Sequence, residues 1–210
     1  MEAKYMRVDR VILRAVLSTL SAIIVLFATM LLALIFLFPS TSMRLAYDLG
    51  LDGVSIACAK RAYAQTEETC YIAFATETAI GSDNDERIIE CGLQFIQDNP
   101  QAFEAYCAEY QTKLTGVDGT YKQYVYGQVS LAQYRQGQKA EAITTAFADL
   151  QTAFPKNNAA VVLAMTAVQA GDTETVSLMK TEMNELSEKL TDTIEKEYLA
   201  NVLALCDRVG

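Results

Sequence analysis

The chain has 210 residues, with 17 Lys and Arg against 26 Asp and Glu and a formal net charge of −9, and it contains no histidine. The missing histidine removes the commonest general base and metal ligand, and with it every catalytic triad built on imidazole. The acidic balance repels phosphate backbones and so argues against a nucleic-acid partner.

The first feature along the chain is Ala15 to Phe38, 24 consecutive positions without a charged side chain. At about 1.5 Å per helical residue this stretch reaches about 36 Å, against about 30 Å for the hydrocarbon core of a bilayer. It predicts a transmembrane helix over 15–38, preceded by a tail over 1–14. Ser18, Thr19, Ser21 and Thr29 interrupt the apolar run, but their hydroxyls can return to the helix backbone. A cleaved signal sequence has a shorter apolar core of about 7–15 residues and a small-residue cleavage site. Here the run ends in Phe36-Leu37-Phe38-Pro39 without such a site, which favours a retained anchor. Ser18 with Ala22, and Thr29 with Ala33, place small residues four apart, a spacing that admits a close helix neighbour.

Charges at the two ends set the expected orientation. Lys4, Arg7, Arg10 and Arg14 precede the segment, and only Arg44 stands in the twenty residues after it. By the positive-inside bias the N-terminus is cytoplasmic and the domain extracytoplasmic, which makes the chain a single-pass protein of the cell membrane. Removing the four basic and two acidic residues of the first fourteen leaves 13 basic and 24 acidic, so the remainder carries about −11. That acidity also argues against the domain lying flat on an anionic membrane.

Pro39 reads as the end of the membrane helix, and 39–52 as a linker into a domain over 53–210. Apolar residues then recur at helical spacing. They predict helices over 53–64, 67–80, 84–97, 101–114, 120–136, 139–154, 158–170, 173–188 and 190–207, and hence an all-α fold. Asn84 or Asp85 is placed to cap the third of these, and Asp172 the eighth. Gly116-Val-Asp-Gly119 is the clearest loop. Helices of this length joined by tight turns form hairpins that must stack to bury their apolar faces.

Gly137 and Gly171 each stand at a helix–helix turn, in Gln-Gly-Gln-Lys-Ala-Glu-Ala and Ala-Gly-Asp-Thr-Glu-Thr-Val. The interval between them is about 34 residues, the length of one helix–turn–helix repeat. Tyr126, Val129, Ser130, Ala132 and Tyr134, then Ala142, Ile143, Leu150 and Pro155, alternate large, apolar and small side chains in a helix–turn–helix pattern. Leu163, Ala164, Ala167, Val168, Gly171 and Val176 continue it. On these residues the chain resembles the tetratricopeptide repeat superfamily over 120–188. Pro155 stands one residue late for that pattern, and Lys180 and Asn184 fall where it wants apolar side chains. Over 53–114 the likeness is only generic, because the interval from Gly81 to Gly137 is much longer and breaks the period. The resemblance implies stacked hairpins, a protein partner and a closing helix at 190–206.

The sequence carries no Gly-rich phosphate loop, no dinucleotide turn and no Cys-x-x-Cys pair, and it implies no cofactor, metal or small-molecule substrate. Carboxylate pairs such as Asp83/Asp85 and Glu67/Glu68 read as helix-start residues. Cys58 and Cys70 are equidistant from residue 64, and Cys91 and Cys107 from Asn99. If those residues mark hairpin turns, each pair is level and open to a disulfide, provided that the Cα atoms come within about 7 Å. Otherwise these cysteines, like Cys206, pack as small apolar groups. Tyr106, Tyr110, Tyr121, Tyr124, Tyr126 and Tyr134 crowd the middle of the chain. They either fill helical cores, as Tyr126 and Tyr134 do in the repeat pattern, or line a groove, for which Tyr121 and Tyr124 are the candidate partner surface.

Three functional readings follow from the residues. The leading one is a membrane-tethered scaffold for protein–protein interaction, without enzymatic activity. The second is a structural accessory subunit whose anchor packs in a larger membrane complex. The third, a thiol-redox protein using Cys91 and Cys107, has least behind it, since neither local sequence favours a reactive thiolate. The topology is directly testable. A reporter active only outside the cytoplasm, fused after Gly210, is expected to work, and one active only inside to be silent. Neutralising Lys4, Arg7, Arg10 and Arg14 while adding basic residues at Ser40, Thr41 and Ser42 is expected to invert or scramble that result. A native fusion that reports a cytoplasmic domain overturns the orientation.

Overall fold

A computed structural model describes residues 2–111, 120–148, 158–191 and 193–208, with side chains from residue 12 onward except that of residue 195. Among the described residues there are eleven helices and no strand. The expected loop at 116–119 lies outside the described residues, as do the end of the helix expected over 139–154 and the repeat positions Leu150 and Pro155.

Helix α1 (Glu2–Leu37) contains the apolar segment Ile12–Leu37, which is long and apolar enough to cross a membrane and is not buried against the rest of the protein. Its Thr19 hydroxyl donates to the Ala15 carbonyl at 2.9 Å, and its Thr29 hydroxyl to those of Val25 and Leu26 at 3.0 and 2.8 Å. These polar groups are therefore satisfied within the helix, as a lipid environment requires.

The segment 39–52, expected as a linker, is instead structured. The position before a proline disfavours helical backbone, and Phe38 (φ −131°, ψ 61°) breaks the chain there. Proline is well suited to the first helical position, and Pro39 opens a second helix, α2 (Pro39–Asp48). The helix buries Pro39, Ser42, Met43 and Ala46. The Ser42 hydroxyl reaches back to the Leu34 carbonyl at 3.1 Å. Residues eight apart in one continuous helix are separated by about 12 Å, so the bend at Phe38 is sharp. The domain thus begins at residue 39, and the base of α1 is part of its packing.

Nine further helices follow: α3 (Asp52–Thr66), α4 (Thr69–Gly81), α5 (Asp85–Gln97), α6 (Pro100–Gln111), α7 (Tyr121–Arg135), α8 (Lys139–Phe147), α9 (Ala159–Ala170), α10 (Thr173–Lys189) and α11 (Thr193–Cys206). Asn84 and Asp172 cap α5 and α10, accepting from the backbone N–H groups of Arg87 and Thr175. Three helices end in the same way. Gly50, Gly137 and Gly171 take positive φ (69°, 77° and 66°). The next backbone N–H returns to a carbonyl five residues earlier, from Leu51 to Ala46, Gln138 to Gln133 and Asp172 to Ala167. This double-bonded ending satisfies the last carbonyls and favours glycine at the left-handed position. Asp83 (φ 49°) occupies the corresponding turn between α4 and α5.

Consecutive helices pack against one another, α2 with α3, α4 with α5, α7 with α8 and α9 with α10, and α3 packs on α4 as extensively as on α2. Helix α5 also packs on α7, and α7 on α9, while α6 lies to one side against α4, α5 and α7. The first core runs from Met43 to Ala132 around Ile72, Ile88, Phe95 and Phe103; the second runs from Ala142 to Cys206 around Leu163, Met179 and Met183. Tyr126 packs against both. On α10, Met179 and Met183 take the buried positions, which leaves Lys180 outside to pair with Asp207 at 2.9 Å.

The contact between α5 and α7 leaves no room for a side chain at position 92. A Cβ placed on Gly92 would stand 2.2 Å from Cγ2 of Val129, and β-branched valine has little rotamer freedom in a helix. Gly92→Ala gains about 1 kcal/mol in helix propensity, but overpacking costs about 1–3 kcal/mol. We expect a net loss of stability in urea denaturation of the detergent-solubilised chain. Val129→Ala in the same chain should restore most of it. If Gly92→Ala stabilises the single variant, the two helices are not in contact at this point.

Candidate interaction surface

The tyrosine-rich region is built where α6, α7 and α4 converge. Thr120 caps α7 by accepting from the Gln123 N–H at 3.2 Å, and the Tyr121 N–H donates to Gln111 Oε1 at 2.7 Å, which fastens the end of α6 to the start of α7. Tyr121 points inward and is only 4% exposed. Its ring lies 4.4 Å from that of Tyr110 and 6.3 Å from that of Tyr106. Its hydroxyl donates to Glu77 Oε1 on α4 at 2.7 Å. Tyr121 is therefore a core residue and not a partner-contacting one: the first turn of α7 faces α4 and α6, and the phenol meets a carboxylate there. Tyr124, 6.3 Å from Tyr121 ring to ring, is 42% exposed and forms the outer edge of the cluster. Of the two tyrosines read as a partner surface, only Tyr124 is available for that role.

Two open clefts flank this cluster. One, of about 400 Å³, is lined by Glu104, Cys107, Ala108, Gln111, Thr120 and Lys122; Lys122 and Glu104 pair across it at 3.1 Å. The other, of about 430 Å³, is lined by Tyr47, Asp48, Asp52, Glu77, Thr78 and Gly81. Glu77 joins the two environments, with the buried Tyr121 hydroxyl on one side and the acidic cleft on the other. Nothing in the sequence around Thr-Glu77-Thr marks it, because its partner stands 44 residues away.

Burial, and next the Glu77 charge, raise the Tyr121 phenol far above its ordinary value. The same two causes push Tyr106 up to about 12 and raise Tyr124. A buried phenolate beside a carboxylate is disfavoured both by lost hydration and by like charge.

Of the two alternatives for the cysteines the structure has the unbridged one, since Cys58, Cys70 and Cys91 are all thiols. The turn between α3 and α4 falls at Glu67 (φ 58°), three residues beyond residue 64, so Cys58 and Cys70 are not level. Cys58 is buried, whereas Cys70 is exposed with its thiol towards Glu68. Cys91 and Cys107 both sit in the first core, and the level next to their turn is filled by Phe95 against Phe103, ring centroids 4.8 Å apart. Burial pushes the Cys91 thiol up to about 11, the opposite of the lowered value that makes a thiol nucleophilic. Cys206 is fully buried in the second core. Among the described residues no three His, Cys, Asp or Glu side chains converge in a way that could hold a metal ion.

No family model matches the chain, and no curated protein or solved structure is significantly similar to it.

The phenols give the domain an alkaline signature. Unfolded tyrosine ionises near pH 10, whereas the folded Tyr106 and Tyr121 phenols keep their protons to higher pH. Above about pH 10 the folded state then holds more protons than the unfolded one, so stability is full below that pH and falls as pH rises. We expect Tyr121→Phe to lower stability at neutral pH by about 1.5–3 kcal/mol through the lost hydrogen bond to a charged group. It should also make the alkaline loss shallower. Urea midpoints at pH 7 and at steps from about 9 to 11 test both; parallel pH curves for the variant and the parent chain count against this assignment.

Proposed function

We propose that this chain is a membrane-tethered helical-repeat module that binds a protein partner and performs no chemistry of its own. Helix α1 acts as a retained single-pass anchor with its N-terminus in the cytoplasm, and the domain works outside. The observation that carries the reading is the recurrence of the left-handed turn residue that closes the first helix of each hairpin. These residues stand at positions 50, 83, 137 and 171; a fifth left-handed residue, Glu67, closes α3 at the turn from the first hairpin into the second. The first and last intervals, 50 to 83 and 137 to 171, both match a repeat of about 34 residues. The middle interval, 83 to 137, is longer and contains α6 with residues 112–119, so an insertion of that extent accounts for it. This supports a tetratricopeptide-like arrangement, which we read as reaching upstream of 120–188. The burial of Val129, Ser130, Ala132, Ala142, Ile143, Leu163, Ala164, Ala167 and Val176 agrees with the roles such a pattern gives them. Successive hairpins of this kind present one continuous surface for a partner, and Tyr124 with the clefts beside it is where we place the contact.

A second reading, that of an accessory subunit held through its anchor, draws support from α1 itself. Ser18, Ser21, Ala22, Val25, Leu26 and Thr29 line a shallow groove along its exposed surface, of the sort that receives another transmembrane helix.

One experiment separates the two. The full chain, purified from its own membranes in mild detergent, is expected to retain a stoichiometric protein partner. Tyr124→Asp should weaken that association at least several-fold, since a buried charge at an interface centre costs several kcal/mol, while replacing α1 by an unrelated apolar helix should leave it intact. Loss on the helix swap with indifference to Tyr124→Asp selects the accessory-subunit reading, and recovery of no partner counts against both.

A further inference from the structure

Four large apolar side chains on the first hairpin of the domain are open to solvent: Leu45 is 49% exposed, Leu49 65%, Leu51 51% and Val54 40%. Two contacts fix the direction in which this surface faces. Ser42 and Leu45 on α2, and Leu49 at its C-cap, stand at i, i+3 and i+7 and so share a face, and Ser42 is the residue whose hydroxyl reaches Leu34 of α1. On α3, Val54, Ala57 and Arg61 have the same spacing, and the Arg61 guanidinium lies 4.1 Å over the Phe36 ring of α1. Both helices of the hairpin therefore turn this face towards the last turns of α1. The segment Ile12–Leu37 has 26 residues, about 39 Å of helix against a hydrocarbon core of about 30 Å, so its final turns reach the level of the bilayer surface.

We propose that this face of the α2–α3 hairpin rests in the headgroup–acyl boundary of the bilayer that α1 enters, so that the domain lies against the membrane and not on a stalk. The occupant is lipid because the patch continues the exposed apolar surface of the anchor through Leu37 and Phe38, 71% and 59% exposed. None of the positions 42, 45, 49, 54, 57 and 61 carries a carboxylate in a domain of strongly negative net charge. Asp48 and Asp52, close by in sequence, line the cleft with Glu77 instead. Arg61 supplies a basic head whose stem can lie along apolar surface while the charge reaches the headgroups. The acidity that argues against the whole domain lying on an anionic membrane does not apply to this one face. The bend at Phe38 is what makes the contact available, since a straight continuation of α1 would carry Leu45 and Leu49 away from the surface.

The proposal rests on α1 being a membrane anchor, and its test keeps the two apart. The chain contains no tryptophan, so single tryptophans serve as probes. Leu26→Trp, Leu49→Trp and Leu178→Trp are made in the full chain and reconstituted into phosphatidylcholine vesicles brominated high or low on the acyl chains, with circular dichroism to check the helix content of each. We expect Leu49→Trp to have blue-shifted emission and to lose roughly half of it to the shallow bromines, at the depth of about 5–10 Å that an interfacial helix face reaches. Leu26→Trp should be quenched by the deep bromines. Leu178→Trp, on the far end of the domain, should respond only to acrylamide in the water. Quenching at Leu26→Trp without quenching at Leu49→Trp overturns the inference and leaves the anchor standing. No lipid quenching at Leu26→Trp overturns both. Shielding of Leu49→Trp from lipid and acrylamide alike means that protein covers the face, and overturns the inference too.

Discussion

The packing of α7 against its neighbours is the constraint on which the rest of the domain depends. On one side Gly92 of α5 lets Val129 approach to a distance no side chain at position 92 would allow; on another, Gly127 brings the helix against Ala159 of α9. At such short separations helices lock by shape, and a shift of one residue puts a side chain where there is no room for it. Polar groups reinforce the register. The Ser130 hydroxyl donates to the Ala142 carbonyl of α8 at 2.8 Å, and Gln123 Oε1 accepts from the Ala159 N–H at 3.2 Å. Each is buried, so losing its partner would leave an unsatisfied group in the core. Through α7 the two hydrophobic cores become one continuous body of helices, with Tyr126 touching both.

Charged groups add definition at the joints between hairpins. Asp172, the cap of α10, also accepts from the Tyr134 hydroxyl at 3.1 Å and from Lys139 Nζ at 3.0 Å, and so ties α7, α8 and α10 together. Burial works to raise its carboxyl, but Lys139, Thr175 and Tyr134 outweigh that and hold it at about 2. Arg135 pairs with Asp85 between α7 and α5, and Lys60 with Glu90 between α3 and α5. Exposed pairs of this kind contribute about 0–1 kcal/mol each. Their value here is in register, with stability resting on the apolar and small-residue contacts beneath them.

The base of α1 follows the same logic of satisfied backbone and covered apolar surface. Within α1 the threonine hydroxyls close on their own helix. Where the helix stops, Ser42 takes up the Leu34 carbonyl, Ile35 packs on the first core, and Arg61 covers Phe36. The apolar helix is thereby joined to the domain by contacts as well as by the chain. On the proposed reading, such a joint holds the partner-facing surface at a set height and angle to the bilayer, which a flexible linker would not do.

Much of this is legible in the residues. The uncharged run before Pro39 marks a helix able to span a bilayer, because spanning demands length and apolarity, both of which are local. The 3.6-residue period marks the helices of the domain, and Gly137 and Gly171 their turns, because a left-handed closing residue is a local requirement that glycine meets best. Asn84 and Asp172 announce two helix starts for the same reason. Other features depend on residues far apart in sequence. The helix at Pro39 hides behind a helix breaker, since whether proline ends a helix or begins one depends on what the following turn packs against. The turn at Glu67 carries neither glycine nor proline, and its displacement by three residues removes the level pairing of Cys58 with Cys70. Tyr121 and Tyr124, three residues apart on one helix, look alike in the sequence; only the arrival of Glu77 and Tyr110 makes one core and the other surface. Helix type, span and turn chemistry can be read along the chain because neighbours within a few residues set them. Which side chains meet, and which face stays open, emerges only on packing, because it depends on how close two helices can come, and around α7 that distance is set by the glycines at 92 and 127.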